Sequence, residues 1–487
     1  MQKVGRSPCV ILLMFVLTAW LLAIRPPQAA CQPDTLNLPQ WFFESDEASA
    51  SLGWAVSGAG DLNGDGFEDI LVGAPKYSGT IHKAGTVFAF YGSASGLQPM
   101  PQWHYDGTQT GADLGFAVAA AGDVNGDGFA DILLTAPRYN QAFSREGRVY
   151  AFYGTSSGLP PVPDWQLEGV LVEAYLGWSV AGAGDVNNDG YDDVIVGAKW
   201  AQQDFYNEGM AQLYLGGPDG LGGPDGLANA SAWTVFGEQA GASLGTAVAP
   251  AGDINHDGFA DVLVGVPLFD TDVEDGGQVL AFCGTAEGLT QTPCWSVTGS
   301  QANGRLGEAV SGGGDVTGDG LDDVLVGAPG LDAAVPEAGA VLLFGGTAVG
   351  LSATPVWTAV ADQSFTNFGT AVNMLHDLNN DGLHDVLVGA YTYSADQSQE
   401  GRLYVYYGAL GGPNAQPSWI AEGNKAEAEF GFALGSSDVD GDSQAEVLVG
   451  APNYRKETEL RGRAFLYEPV PGSMIIHELF LPLVENN

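Results

Sequence analysis

The sequence predicts an all-β fold: a seven-bladed β-propeller of four-stranded antiparallel blades, closed by a strand near the N-terminus. Three observations predict it. An acidic segment recurs seven times, at start-to-start spacings of 62, 62, 68, 62, 62 and 61 residues. Each recurrence travels with four short runs rich in Val, Ile, Phe and Tyr, bounded by Gly, Asp, Asn or Pro, with no helical period between them. No polar cap is evident at either end of the array, as closure into a ring would permit and an open solenoid would not.

The acidic segment reads DLNGDGFED at Asp61, DVNGDGFAD at Asp123, DVNNDGYDD at Asp185, DINHDGFAD at Asp253, DVTGDGLDD at Asp315, DLNNDGLHD at Asp377 and DVDGDSQAE at Asp438. The one long interval contains GGPDGL twice in tandem, at 216–221 and 222–227, and removing one copy restores 62. Ahead of each segment stands a Gly followed by an apolar stretch, from LGWAV at 52 to FGFAL at 430. Behind it comes a strand-like run such as ILVGAP at 70–75 or VLVGAP at 324–329. A Gly-led alternating run follows, as in GTVFAFYG from Gly85. Trp41, Trp103, Trp165, Trp233, Trp295, Trp357 and Trp419 mark a fourth element. Trp41 precedes the first repeat, and no Trp follows the last alternating run. The Trp41 strand is therefore expected to pair with Arg463–Tyr467 and hide two open sheet edges.

Outside the array, residues 1–30 read as a signal peptide, with Lys3 and Arg6 before an apolar run from Cys9 to Ile24 and with Ala29 and Ala30 near the cleavage point. An uncleaved anchor is the alternative, though the run of 16 residues is short for a span. Whether Cys31 is lipidated or free stays open. The expected organisation is leader 1–30, propeller 31–468 and an apolar tail 469–487, with no membrane span after cleavage and a secreted or cell-surface location. Removing the leader takes the formal charge from −43 to −46, a surface that repels nucleic acid and anionic lipid. Cys283 ends one strand and Cys294 begins the next, so a hairpin is expected to join them in a disulfide.

The acidic loops carry the chemistry. Oxygen donors fall at positions 1, 3, 5 and 9, with Gly at 6 for a sharp turn and the carbonyl of residue 7 as a further donor. That set suits calcium, which takes six to eight oxygens, better than magnesium. The candidate ligands are Asp61, Asn63, Asp65, Phe67 and Asp69 in the first loop, and Asp123, Asn125, Asp127, Phe129 and Asp131 in the second. Asp185, Asn187, Asp189, Tyr191 and Asp193 form the third, and Asp253, Asn255, Asp257, Phe259 and Asp261 the fourth. Asp315, Thr317, Asp319, Leu321 and Asp323 form the fifth, and Asp377, Asn379, Asp381, Leu383 and Asp385 the sixth. The seventh, Asp438, Asp440, Asp442, Gln444 and Glu446, replaces the turn Gly by Ser443. Up to seven Ca²⁺ are expected, mainly structural. Position 12 is apolar (Val72, Leu134), so the loops are not EF-hands.

The combination of LGWAV or FGTAV, D-x-N-x-D-G-x-x-D and VGAP resembles the FG-GAP repeat of integrin α-chain N-terminal propellers and of free-standing secreted bacterial propellers. The resemblance covers roughly 36–468. It implies seven blades, calcium between the first two strands of a blade, and faces that bind protein or carbohydrate. Two copies depart from it, VGAK at Gly197–Lys199 and VGAY at Gly389–Tyr391. Integrin stalk, inserted and membrane segments are not seen in the sequence, which points to the free-standing type and a monomer.

None of the six His falls in a catalytic spacing, and no nucleophile-elbow or phosphate-loop motif is evident. The expectation is an adhesion or protein/carbohydrate-binding module and not an enzyme. An extracellular hydrolase or lyase built on a propeller, and a purely structural envelope protein, are the alternatives.

Overall fold

The computed structural model describes residues 39–468 apart from 223–229, 334 and 375. The expected leader, Cys31 and the 469–487 tail lie outside the described residues. Among those described there is no helix, and seven four-stranded antiparallel sheets carry the fold.

Blade 1 runs Ala55–Gly60, Asp69–Ala74, Thr86–Phe90 and Trp103–Asp106, each strand paired with the next. Blades 2 to 6 repeat that order. Blade 7 is assembled from both ends of the described chain: Ala433–Ser437, Glu446–Ala451, Arg463–Tyr467 and then Trp41–Glu44. The register sets Trp41 opposite Leu466 and Glu44 opposite Arg463, as the phase of the Trp residues requires. Ion pairs from Arg463 and Lys456 to Glu44 reinforce the closure. First strands of neighbouring blades touch all the way round, blade 7 to blade 1 included, so the array is a ring.

The second strands explain why their sequences are continuous apolar runs and not alternating ones. Asp69–Ala74 and its counterparts are buried at every residue, because each lies between two neighbouring blades. The innermost strands are built of Ala, Gly and Ser for the opposite reason. They crowd the axis: a Cβ on Gly58 would run into the Ser436 carbonyl of blade 7.

The recurring Leu-Gly ahead of each loop does not begin a strand in most blades. Leu114 instead makes a single parallel bridge to Gly85 of the previous blade. Gly85 has φ +88°, and a Cβ there would meet the Leu114 carbonyl, so the tie requires glycine. Only in blade 3 does the first strand start at the Leu, as Leu176–Gly184. A second tie is the blade Trp. Indole N–H groups of Trp41, Trp103 and Trp233 donate to the carbonyls of Gln98, Pro160 and Thr290 in the next blade, at 2.9, 2.9 and 3.0 Å. The expected disulfide Cys283–Cys294 is present, with Cα atoms 5.9 Å apart.

Candidate metal centres

Each acidic loop joins the first two strands of a blade, so all seven lie on one face of the ring. In the first, Asp61 Oδ1 accepts from the backbone N–H of Gly64 and Asp65 at 2.7 and 3.1 Å, and Oδ2 from Gly66 at 2.8 Å. Asn63 Oδ1 accepts from Asp65 N–H and Asp65 Oδ1 from Phe67 N–H. The side chains at positions 1, 3 and 5 thus curl over one short turn at the exposed tip. Gly66 at φ +88° has open space around it, so its requirement is the backbone angle alone. Ser443 takes the same turn at φ +72°, a conformation that costs a non-glycine residue about 1–2 kcal/mol.

Position 9 has a different setting. Asp69, Asp131, Asp193, Asp261 and Asp323 are fully buried, and Asp385 and Glu446 nearly so. Asp69 Oδ2 accepts from Leu62 N–H and Oδ1 from Gly92 N–H, at 2.9 and 2.8 Å, bracing the loop against the third strand's exit. Burial pushes the Asp69 carboxyl up to about 7, with Asp65 and Asp61 adding to the rise and the two N–H donors opposing it. The same balance puts Asp131, Asp193, Asp261 and Asp385 at about 7, Asp323 at about 6 and Glu446 at about 8. A divalent cation beside such a carboxylate would restore the charged form.

Two observations fit a cation of oxygen preference. Asn379 Oδ1, at position 3 of the sixth loop, is buried and has no hydrogen-bond partner among the described residues. In the seventh loop, carboxylate oxygens of Asp438, Asp440 and Asp442 lie within 4.8 Å of one another. That loop departs most from the repeat in sequence, yet it gathers three acids. Thr317 of the fifth loop is turned away: it is buried and its hydroxyl donates to Asp323 at 3.4 Å. It acts there as a brace for position 9.

The loops are also locked to one another. The carbonyls of Asp61, Asp123 and Asp438 at position 1 accept from the position-8 N–H of Ala130, Asp192 and Glu68 in the next blade, at 3.0, 3.1 and 3.1 Å. The position-7 rings of Phe129, Tyr191 and Phe67 lie against Gly64, Gly126 and Gly441 of the preceding loop.

One convergent group is hidden from sequence reasoning. Five blades place Gly directly before the first loop Asp, whereas blades 6 and 7 place His376 and Ser437. His376 Nδ1 is 2.7 Å from Ser436 Oγ, and its Nε2 is 3.6 Å from Glu68 Oε2, which also accepts from Ser437 Oγ at 3.1 Å. Burial lowers the His376 pKa, and Glu68 opposes that shift. The residues are 60 and more positions apart, so no linear spacing could reveal the group. The one available signal is the loss of Gly at two of seven equivalent sites.

Comparison with known proteins places these features. The FG-GAP repeat profile matches residues 52–90, 114–152, 176–214, 244–282, 306–344, 368–406 and 430–464. Human phosphatidylinositol-glycan-specific phospholipase D is 29% identical over 469 residues, 86% of this chain and 54% of that protein. The bovine protein of that name is 28% identical over 85% of this chain and 54% of its own length. Human integrin alpha-6 is 32% identical over 33% of this chain and 14% of its own length. The chain thus spans about half the length of the phospholipases it matches. These matches overturn two expectations. The relatives that run the length of the ring are named as phospholipases, and the integrins share only about a third of it, so neither the adhesion reading nor the exclusion of catalysis stands. The exclusion rested on the absence of a catalytic spacing, and such an absence is no evidence against catalysis. One match per blade, seven in all and each in phase with the strands, makes this chain a member of the FG-GAP repeat family.

Proposed function

We propose that this chain is the calcium-stabilised propeller of an extracellular hydrolase acting on glycan-linked phospholipids. The observation that carries the reading is the extent of the phospholipase match, 86% of the chain, against about a third for the integrins. In such a reaction water adds at phosphorus and the bond from phosphorus to the glycan-side oxygen breaks, leaving phosphatidic acid and the free glycan. Calcium in the loops, up to seven ions, neutralises the crowded acids and stiffens the blade contacts on that face. Backbone bonds from loops to their neighbours' carbonyls support a scaffolding role for these ions.

The test is direct. Purified chain in millimolar calcium is incubated with a detergent-dispersed protein carrying a phosphatidylinositol-glycan anchor, and release of phosphatidic acid is measured. Release above a heat-denatured control supports the reading; none defeats it for this chain.

A further inference from the structure

The two degraded VGAP motifs have a shared destination. Five blades follow the second strand with Pro (Pro75, Pro137, Pro267, Pro329, Pro452), and two do not: Lys199 stands there in blade 3 and Tyr391 in blade 6. Both odd side chains reach the channel mouth opposite the metal loops. Lys199 Nζ sits 4.5 Å from the Trp178 ring, and the Tyr391 ring lies 5.2 Å from Phe432.

Between these two ends runs an unbroken aromatic arc. Phe432 lies 4.7 Å from Trp54, Trp54 5.7 Å from Phe116, and Phe116 4.7 Å from Trp178, all tilted and all half-buried. These are the equivalent positions of blades 7, 1, 2 and 3. In blades 4, 5 and 6 the same position is Thr246, Glu308 and Thr370. The mouth is therefore divided into an apolar half and a hydrogen-bonding half, around a cavity of about 270 Å³ lined by Trp178, Thr246, Glu308 and Thr370. Glu308 lines that cavity together with Trp178 and Thr370.

We infer that this mouth is a saccharide subsite, in which a sugar ring lays its C–H face on the arc and turns its hydroxyls to Glu308, Thr370 and Lys199. A neutral polyol suits the division. An anion would meet Glu308 on a strongly acidic protein. A guanidinium or ammonium would meet the like charge of Lys199, whose Nζ lies 4.5 Å from the Trp178 ring. A purely apolar ligand would strand Glu308 and Lys199 without water. The choice of a glycan rests on the phospholipid-glycan reading above and names the part of that substrate this face would hold.

The experiment titrates the calcium-loaded full chain with mannotriose and follows tryptophan emission, to which Trp54 and Trp178 contribute among the chain's 11 Trp. The variants Lys199→Pro and Tyr391→Pro restore the residue that five blades already carry, so they keep the fold. Saturable emission change in the wild type, weakened roughly tenfold in either variant, is expected, the loss of about one polar or stacking contact. No emission change, or binding equally tight in both variants, overturns the subsite. An arginine-containing tripeptide that binds where mannotriose does not also overturns it and marks the mouth as a cationic-peptide site. Phosphatidic acid release is measured in parallel: sugar binding without release keeps the subsite and removes the hydrolase reading, and release without sugar binding does the reverse.

Discussion

The indole N–H of Trp41 donates to the carbonyl of Gln98 at 2.9 Å, tying the first described strand to the blade beyond the one it completes. Trp41 is also packed edge-on against Phe90 at 4.8 Å. A single residue thus fastens blade 7 to blade 1 by a hydrogen bond and by ring contact.

Trp41→Ala is expected to cost about 3–5 kcal/mol, as for other buried aromatics. Trp41→Phe keeps most of the packing and loses the hydrogen bond, about 1 kcal/mol. Thermal melts of the two variants check the ranking. The Ala variant, with Arg463–Tyr467 left as an open edge, is also expected to form higher oligomers on size exclusion.

Calcium removal is expected to lower the melting temperature and raise protease sensitivity. Binding to the native state alone adds about 2.7 kcal/mol per site at a hundredfold excess over Kd. Asp127→Ala, in a loop with its full donor set, should lose part of the calcium-dependent shift. Asp442→Ala removes one of three crowded acids, so it should lose calcium response while melting no lower than wild type in chelator. Equal melts of the wild type in calcium and in chelator would mean that the loops are turns only.

The position-9 carboxyls give a pH signature to the metal-free protein. Their folded pKa of about 7 lies above the ordinary 3.8, so between those values the folded state holds protons that the unfolded chain has released. Stability from this source is present at low pH and falls as pH rises toward 7. In chelator the melting temperature should therefore be higher at pH 5.5 than at pH 7.5. In calcium the difference should shrink, because the ion holds the carboxylates charged.

Gly85→Ala tests the bridge to Leu114. The residue needs φ +88° and has a backbone carbonyl where a Cβ would stand. A loss above about 2 kcal/mol is expected, more than the 1–2 kcal/mol for left-handed backbone alone. Gly66→Ala, at the same φ but with open space, should stay within that smaller range. Chemical denaturation of both variants separates clash from backbone strain.

Cys283–Cys294 closes a short hairpin. Cys294→Ser should cost about 2–4 kcal/mol. Thiol labelling of the denatured, unreduced protein should leave both cysteines unlabelled.

Much of the architecture is legible in the residues alone. Seven in-phase copies set the number of blades, and the displaced Trp41 sets how the ring closes. Cys283 and Cys294 flank one hairpin, so their pairing needs no long-range information. The candidate loop ligands are legible as donor types, but the buried brace made by Asp69 and the inward turn of Thr317 depend on what the third strand brings beneath the loop. His376 with Ser436 and Glu68, and Lys199 with Trp178 and Glu308, are not legible. Each group joins residues from different blades, and in the sequence they show only as a missing Gly or a degraded VGAP. The functional expectation fails on another ground: seven near-identical loops and the absence of a catalytic spacing say nothing against catalysis, and the relatives that cover most of the chain carry a phospholipase name.

The two ends of the array meet in blade 7, and that meeting is the one place where the circle is fastened by non-covalent contacts alone. Every other blade is threaded to its neighbours by the chain itself. A linear array can fray from either end, but a circle must first open at its clasp. The lifetime of the native protein should therefore be governed by the Trp41–Glu44 strand leaving its place beside Arg463–Tyr467. Added strength elsewhere in the ring would raise its equilibrium stability yet do little to slow its unfolding.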